Sequence, residues 1–268
     1  MYPKTFAQED IIHYYDTCHV DYSIVWHVKT HYALHYGYWD QGITRLREAL
    51  IRMNQVLASK INIQPNDKIL DAGCGVGGSA IFLAKNYPCQ VHGISLSEQQ
   101  VAIAAQNAKD QQVEAHVSFS KADFTKMPFD DESFDIVWAV ESVCHANEKN
   151  DFLQEAFRVL KKGGRLIVAD FFRTIEHPNQ EQDHLLQRWA HTWAVPSFEF
   201  VDAFQRKALA NGFTQTQIEN ITTSILPSAK RLYYCFFPGL LCDGFLRLFG
   251  KRTKTHQANV WSTYYQYK

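Results

Sequence analysis

The sequence predicts an α/β protein built on a doubly wound, mostly parallel sheet, and three observations carry that prediction. Lys68-Ile-Leu-Asp-Ala-Gly-Cys-Gly-Val-Gly-Gly78 reads as a buried strand entering a glycine-rich turn and then a helix. From there to residue 171, strand-like and helix-like stretches alternate. Phe134-Asp-Ile-Val-Trp-Ala-Val140 and Arg165-Leu-Ile-Val-Ala-Asp170 are near-continuous apolar runs, as strands covered on both faces require. The expected sheet has seven strands, the last antiparallel to the rest.

In chain order, Thr5-x-x-Gln8 is a capping-box pattern followed by Phe6, Ile11, Ile12 and Tyr15 at roughly helical intervals, which predicts a first short helix. Residues 21–40 are so dense in Tyr, Trp and His that they read as a binding flap. Leu46, Leu50, Met53 and Leu57 recur at helical spacing and predict a helix over 43–59 that buries one stripe on the sheet. After the turn Pro65-Asn66-Asp67, the expected elements are strand 68–72, helix 77–86, strand 89–95, helix 97–109, strands 116–122 and 134–141, helix 149–161 and strand 165–171. Lys161-Lys162-Gly163-Gly164 places cations at the negative end of the 149–161 helix and glycine at its stop.

Leu185, Trp189 and Trp193 predict a lid helix over 181–194, and Phe200, Phe204 and Ala208 a core helix over 199–211, closed by Asn211-Gly212. Strands near 213–221 and over 259–266 are expected to close the sheet, with an insertion at 225–256 between them. The chain divides into a helical flap and cap, 1–62, and a ligand-binding core, 63–268, with lid insertions near 172–198 and 225–256.

With 268 residues, 46% of them hydrophobic and 21% charged, the chain can bury a full core. A net charge of −1 gives no basic footprint for nucleic acid. Six scattered cysteines with no Cys-x-x-Cys pair read as reduced thiols of a cytoplasmic protein rather than a disulfide frame or zinc site. Acids fall within Met1–Asp10 where a signal peptide would be apolar, and no apolar run is long enough to span a bilayer.

The glycine turn is the ligand signal. Gly73-x-Gly75-x-x-Gly78 also fits the dinucleotide fingerprint, but that reading needs an acid at the end of the second strand, where Val91-His-Gly-Ile-Ser-Leu96 offers Ser95. Asp71, at the tip of the first strand, would repel a pyrophosphate and suits a ligand with an ammonium and a sulfonium, such as S-adenosylmethionine. The competing reading of Asp71 is a carboxylate that holds the loop through backbone N–H groups.

Taken together, Leu70-Asp-Ala-Gly-Cys-Gly-Val-Gly-Gly78, Gly93-Ile-Ser-Leu-Ser97 with Gln100, Ala122-Asp-Phe124, Pro128-Phe129, Phe134-Asp135 and Arg158-Val-Leu-Lys-Lys-Gly-Gly164 resemble the Rossmann-like class I S-adenosylmethionine-dependent methyltransferases. The resemblance runs from about Tyr14 to Phe171 and resumes in the last expected strand. Within that class, His35-Tyr-Gly-Tyr-Trp39 and Glu141-Ser-Val-Cys-His145 are similar to the group of sterol and tocopherol methyltransferases, cyclopropane synthases and natural-product methyltransferases. The resemblance implies a small, lipophilic acceptor. It places Gly73 and Gly75 under the methionine part of the cofactor, Asp71 near its amino group, and Ser95 and Gln100 at the ribose. Asp123 would accept from the adenine amino group, and the backbone of Phe124 would read the ring edge. Ser95 departs from the wider class, which keeps an acid there. Gln100 and Asp123 each have a second reading, as helix or turn caps.

Methyl transfer from a sulfonium needs chiefly alignment and exclusion of water. A base is required when the acceptor must lose a proton, and Glu141 and His145 are the candidates. Glu141 suits an alkene, whose methylation creates a carbocation that a buried carboxylate stabilises, which favours a carbon acceptor of isoprenoid or polyketide type over a phenolic oxygen or an amine. The alternatives are a Glu141 that ties its loop to backbone N–H groups and a structural His145. Tyr14, Tyr15, Tyr36 and Tyr38 are candidates to close over the sulfonium or the substrate, or to pack. His27, His31 and His35 have a chelating spacing but no matching acid, so no metal is expected.

Residues 226–249 set a greasy surface beside Lys230, Arg231, Arg247, Lys251, Arg252 and Lys254. Three readings stand: core, a cap over a hydrophobic acceptor, or peripheral contact with an anionic membrane. Outside methyl transfer, the alternatives are a nicotinamide-dependent oxidoreductase and a non-catalytic cofactor- or lipid-binding protein.

Overall fold

The computed structural model describes residues 5–267. The chain begins with α1 (Gln8–Val25), a short α2 (Val28–His31) and α3 (Leu46–Ile61), then enters β1 (Lys68–Ala72). The alternating part follows as α4 (Gly78–Asn86), β2 (Gln90–Ser95), α5 (Glu98–Asp110), β3 (Val117–Lys121), β4 (Phe134–Val140), α6 (Lys149–Val159) and β5 (Leu160–Ala169). Four helices end it: α7 (Gln180–Thr192), α8 (Val201–Ala210), α9 (Thr222–Leu248) and α10 (Lys254–Tyr265).

The five strands form one parallel sheet in the order β3-β2-β1-β4-β5. The order reverses direction between β1 and β4, so a crevice opens beyond their carboxyl ends, where such sheets hold ligands. Trp138, Ile69 and Ile136 are fully buried on one face with Met53 and Leu57 of α3. Leu70, Val137 and Ala139 are fully buried on the other with Phe152 and Leu153 of α6.

Several expectations are corrected. The sheet has five strands among the described residues, not seven, and none is antiparallel. Residues 259–266, expected as the closing strand, lie in and just after α10, because His256, Asn259, Val260 and Ser262 bury one helical face. Residues 213–221 run without strand pairing, since no neighbouring strand supplies a ladder. The insertion at 225–256 is mostly one helix, α9, which passes through Pro227 and Pro238. The first helix is long rather than short and starts after Ala7, whose N–H donates to Asp10 Oδ2 at 3.0 Å, so Thr5 is not its cap. The 149–161 helix stops at Val159, and Lys161–Gly164 already belong to β5. The helix expected over 43–59 runs from Leu46 to Ile61.

Beyond the carboxyl ends of β1 and β4, α10 packs on α7 and α9, and α1 packs on α10. Arg252 pins this layer: its guanidinium holds Asp21 of α1 at 2.5 and 3.0 Å and Asp243 of α9 at 3.1 Å. The first helix and the C-terminal helices therefore share one layer.

Candidate active site

The site begins with the turn after β1. Gly73 has φ +95°, a conformation that side chains rarely adopt, and a Cβ there would meet Ser142 Cβ at 2.3 Å. At Gly78 the reason is proximity: a Cβ would stand 2.0 Å from the carbonyl oxygen of Tyr32. The flap segment thus lies directly on the glycine loop, and Tyr32, Ala33, Leu34 and His35 join it in walling a cavity of about 960 Å³, counting its open mouth.

Of the residues singled out from sequence, Asp71, Gly73, Gly75, Ser95, Gln100, Phe124, Tyr15, Glu141 and His145 all line this cavity. Asp123, Tyr36 and Tyr38 are not among its lining residues. Asp123 accepts from Thr125 N and Oγ1 at 2.8 Å each and from the Gln8 amide at 2.5 Å, so it caps its own turn and ties α1 to it. Tyr36 is buried between Trp26 and Phe171. Tyr38 packs with the α3 side of the core.

Asp71 is fully enclosed. The Ala80 backbone N–H donates to it, but its Oδ2 has no partner among the described residues, and burial pushes the carboxyl up to about 7. At the end of β2 the Ser95 hydroxyl donates to Gln100 Oε1 at 2.7 Å, while Ser97 caps α5 and donates to Asp16 of α1 at 2.6 Å. Gln100 therefore faces the cavity and does not cap its helix; Ser97 does.

Glu141 follows β4 with φ +49°, a strained conformation for a side-chain-bearing residue. Its Oε1 accepts the Tyr36 N–H at 2.7 Å and Oε2 is buried without a partner among the described residues. Burial holds its carboxyl well above the usual range. One oxygen thus ties Tyr36 to the end of β4, and the other has no such tie.

His145 sits in a single 3-10 turn, Val143–His145. Its Nδ1 lies 3.1 Å from the Ala194 carbonyl, which can only accept, so Nδ1 carries the hydrogen and Nε2 accepts the Tyr15 hydroxyl at 2.7 Å. Burial lowers its pKa to about 4. The turn is fixed from both sides: Asp170 accepts the Cys144 N–H at 2.9 Å, and the buried Lys149 ammonium donates to the carbonyls of Cys144, Ala146 and Ser197 at 2.7–2.9 Å.

Three contributors were not named as site residues from the sequence, although Tyr22 falls in the expected flap and Trp193 in the expected lid helix. Trp193 and Tyr22 line the cavity and are joined by a Trp193 indole to Tyr22 hydroxyl bond of 3.1 Å. No reading of the sequence singled out Lys149, whose burial reveals its part. His27, His31 and His35 do not converge: the Nδ1 atoms of His31 and His35 lie 3.0 and 2.9 Å from the backbone carbonyls of Trp26 and Tyr36. Among the described residues no group of three His, Cys, Asp or Glu is placed to hold a metal.

Comparison with known proteins gives the family and the fold. The profile of a methyltransferase-domain family matches residues 70–168. The O-methyltransferase resE of Aspergillus sclerotiorum is 31% identical over 74% of this chain and 75% of its own length. The 27-O-demethylrifamycin SV methyltransferase of Amycolatopsis mediterranei is 42% identical over 52% of this chain, and the match spans about half, 51%, of that relative. Among solved structures, the cyclopropane synthase MmaA2 from Mycobacterium tuberculosis superposes with a TM-score of 0.79 over 98% of this chain and 92% of that one, at 17% identity, a likeness of fold.

Proposed function

The chain belongs to the class I S-adenosylmethionine-dependent methyltransferases, and we propose that it methylates a small, lipophilic acceptor, at a carbon of an isoprenoid or polyketide-like molecule. The observation that carries the reading is that one cavity joins the glycine loop to two groups suited to proton chemistry, the unpartnered Oε2 of Glu141 and the His145 ring.

The residues fit the cofactor. The orphaned Oδ2 of Asp71 is a buried acceptor waiting for a cationic donor, as the amino group would be, and the bare backbone at Gly73 and Gly75 leaves room for the methionine part. Ser95 and Gln100 offer hydroxyl and amide to the ribose. Asp123 would accept from the adenine amino group in place of Gln8, whose amide donates to it here. When bound, the cofactor supplies an electrophilic methyl group on a sulfonium. The chain's part is then to align the acceptor, exclude water and manage charge: Tyr15, Tyr22, Leu34 and Trp193 give an apolar, aromatic wall, and Glu141 faces it with a desolvated carboxyl. Tyr36 and Tyr38 act in this reading by holding the flap.

A hydroxyl acceptor is the second reading, favoured by the Tyr15–His145 pair, in which a neutral imidazole with an accepting Nε2 already holds one hydroxyl. The nicotinamide reading has no support at β2, where the Ser95 hydroxyl is engaged by Gln100 in place of an acid. The test is turnover of labelled S-adenosylmethionine with cell extract, followed by mass spectrometry of the product. A carbon-methylated product whose yield collapses in Glu141→Gln supports the first reading. An oxygen-methylated product, lost in His145→Ala and retained in Glu141→Gln, replaces it with the second. No labelled product overturns both.

A further inference from the structure

The outer face of α9 is apolar along much of its length. Tyr234, Phe237, Leu241, Phe245 and Leu248 are 52% to 83% exposed. Their spacing of three or four residues puts them on one side of the helix, in a stripe about 20 Å long at 1.5 Å per residue. This is not the core-facing stripe, which is made by Ala229, Leu232 and Phe236. Two apolar faces on one helix mean that the second has a partner of its own.

The charge around the stripe selects that partner. Lys230 near its start and Arg247, Lys251 and Lys254 near its end are all exposed. Asp243 is the one acid between residues 225 and 256, and it is buried against Arg252. The exposed charge of the segment is therefore wholly positive, on a chain whose net charge is −1. A second copy of the chain would bring this cationic face against itself, with no acid to compensate. Among the described residues no helix is long and apolar enough to cross a membrane.

We propose that α9 docks the protein on an anionic lipid bilayer, lying in the headgroup plane with the Tyr234–Leu248 stripe inserted and Arg247, Lys251 and Lys254 on the phosphates. The helix has its inner face on the acceptor side. Leu232 lines a second void with Trp26 and Tyr36, and that void shares Tyr22, Leu34 and Trp193 with the catalytic cavity. A lipophilic molecule leaving the bilayer at α9 is thus one helix away from the proposed methyl-transfer site.

The experiment is co-sedimentation of the full chain with vesicles of phosphatidylcholine alone and of phosphatidylcholine mixed with phosphatidylglycerol. It needs neither cofactor nor acceptor, so its outcome is independent of the methyl-transfer reading. Binding to the mixed vesicles is expected, weakening with salt, and each of the pairs Leu241→Glu/Phe245→Glu and Arg247→Glu/Lys251→Glu lowers it on the order of tenfold. All four side chains are exposed, and circular dichroism serves to check that each variant folds. The proposal is overturned by absence of binding to the mixed vesicles or by unchanged binding of both paired variants. It is equally overturned if light scattering finds a dimer that Leu241→Glu/Phe245→Glu dissolves while vesicles bind nothing.

Discussion

Tyr15 of α1 donates its hydroxyl to Nε2 of His145 across 2.7 Å, and this bond closes the N-terminal helix over the end of the sheet. Because Nδ1 is occupied by the Ala194 carbonyl, the imidazole has one tautomer and no second donor. Protonating it would put a charge in a buried site and make Nε2 the donor, so the Tyr15 hydroxyl hydrogen would have to find another acceptor.

That arrangement makes stability depend on pH. The folded-state value of about 4 lies below the ordinary 6.5, so the unfolded chain binds the proton first as pH falls. The contribution is complete above pH 6.5 and is lost on the way down to 4, amounting to about 3 kcal/mol there. Asp71, raised to about 7, acts in the opposite direction, so the comparison must be made against His145→Asn. Urea unfolding at pH 7 and pH 4.5 should show a loss in the wild type larger than in the variant by about 2–3 kcal/mol.

Asp71 should make cofactor binding pH-dependent. A carboxyl that is half protonated near pH 7 must ionise to receive an ammonium, so affinity rises as pH passes from 6 to 8 and binding at pH 6.5 releases a proton. Calorimetry with S-adenosylhomocysteine in buffers of different ionisation enthalpy reads that proton. Asp71→Asn should bind more weakly and lose the pH dependence.

Gly73→Ala places a methyl group 2.3 Å from Ser142 Cβ in a backbone conformation with φ +95°. The expected cost is about 2–4 kcal/mol of stability, with loss of cofactor binding at temperatures where the variant remains folded. Thermal unfolding and titration of the same sample measure both. Gly163→Ala, where a Cβ meets nothing within 4 Å, is the control for strain without a clash.

Lys149→Met removes the donor for three carbonyls that hold the His145 turn and the 197 segment together. Unsatisfied buried acceptors cost about 1–3 kcal/mol each before water repairs them, so the variant should be destabilised by at least a few kcal/mol. The Tyr15–His145 contact should loosen with it, read as a shift of the His145 imidazole resonances.

The alternating half of the chain was legible because its signals are local and mutually consistent. Glycines mark the turn after β1, apolar runs mark β1 and β4, and Ser97 marks the start of α5. The C-terminal part was not. Val260-Trp-Ser-Thr-Tyr-Tyr265 has the β-branched and aromatic content of a strand, yet it packs as a helix because α7 and α9 offer it a surface and no sheet edge does. The apolar and basic stretch at 225–256 carried no element assignment, and it forms α9 through Pro227 and Pro238 with α10 packed along it. The site itself divides the same way. Asp71, Ser95, Glu141 and His145 could be named from motifs; local patterns marked the segments of Tyr22 and Trp193 but not those two residues as site residues, and Lys149 enters only through contacts with segments far apart in sequence.

The central claim is that the cavity beyond β1 and β4 holds S-adenosylmethionine, and calorimetric titration of the wild-type protein with S-adenosylmethionine and S-adenosylhomocysteine tests it most directly. Saturable binding of both at one site, with none of NADH, is the expected result. A folded protein that takes up neither, or that binds NADH in their place, contradicts it.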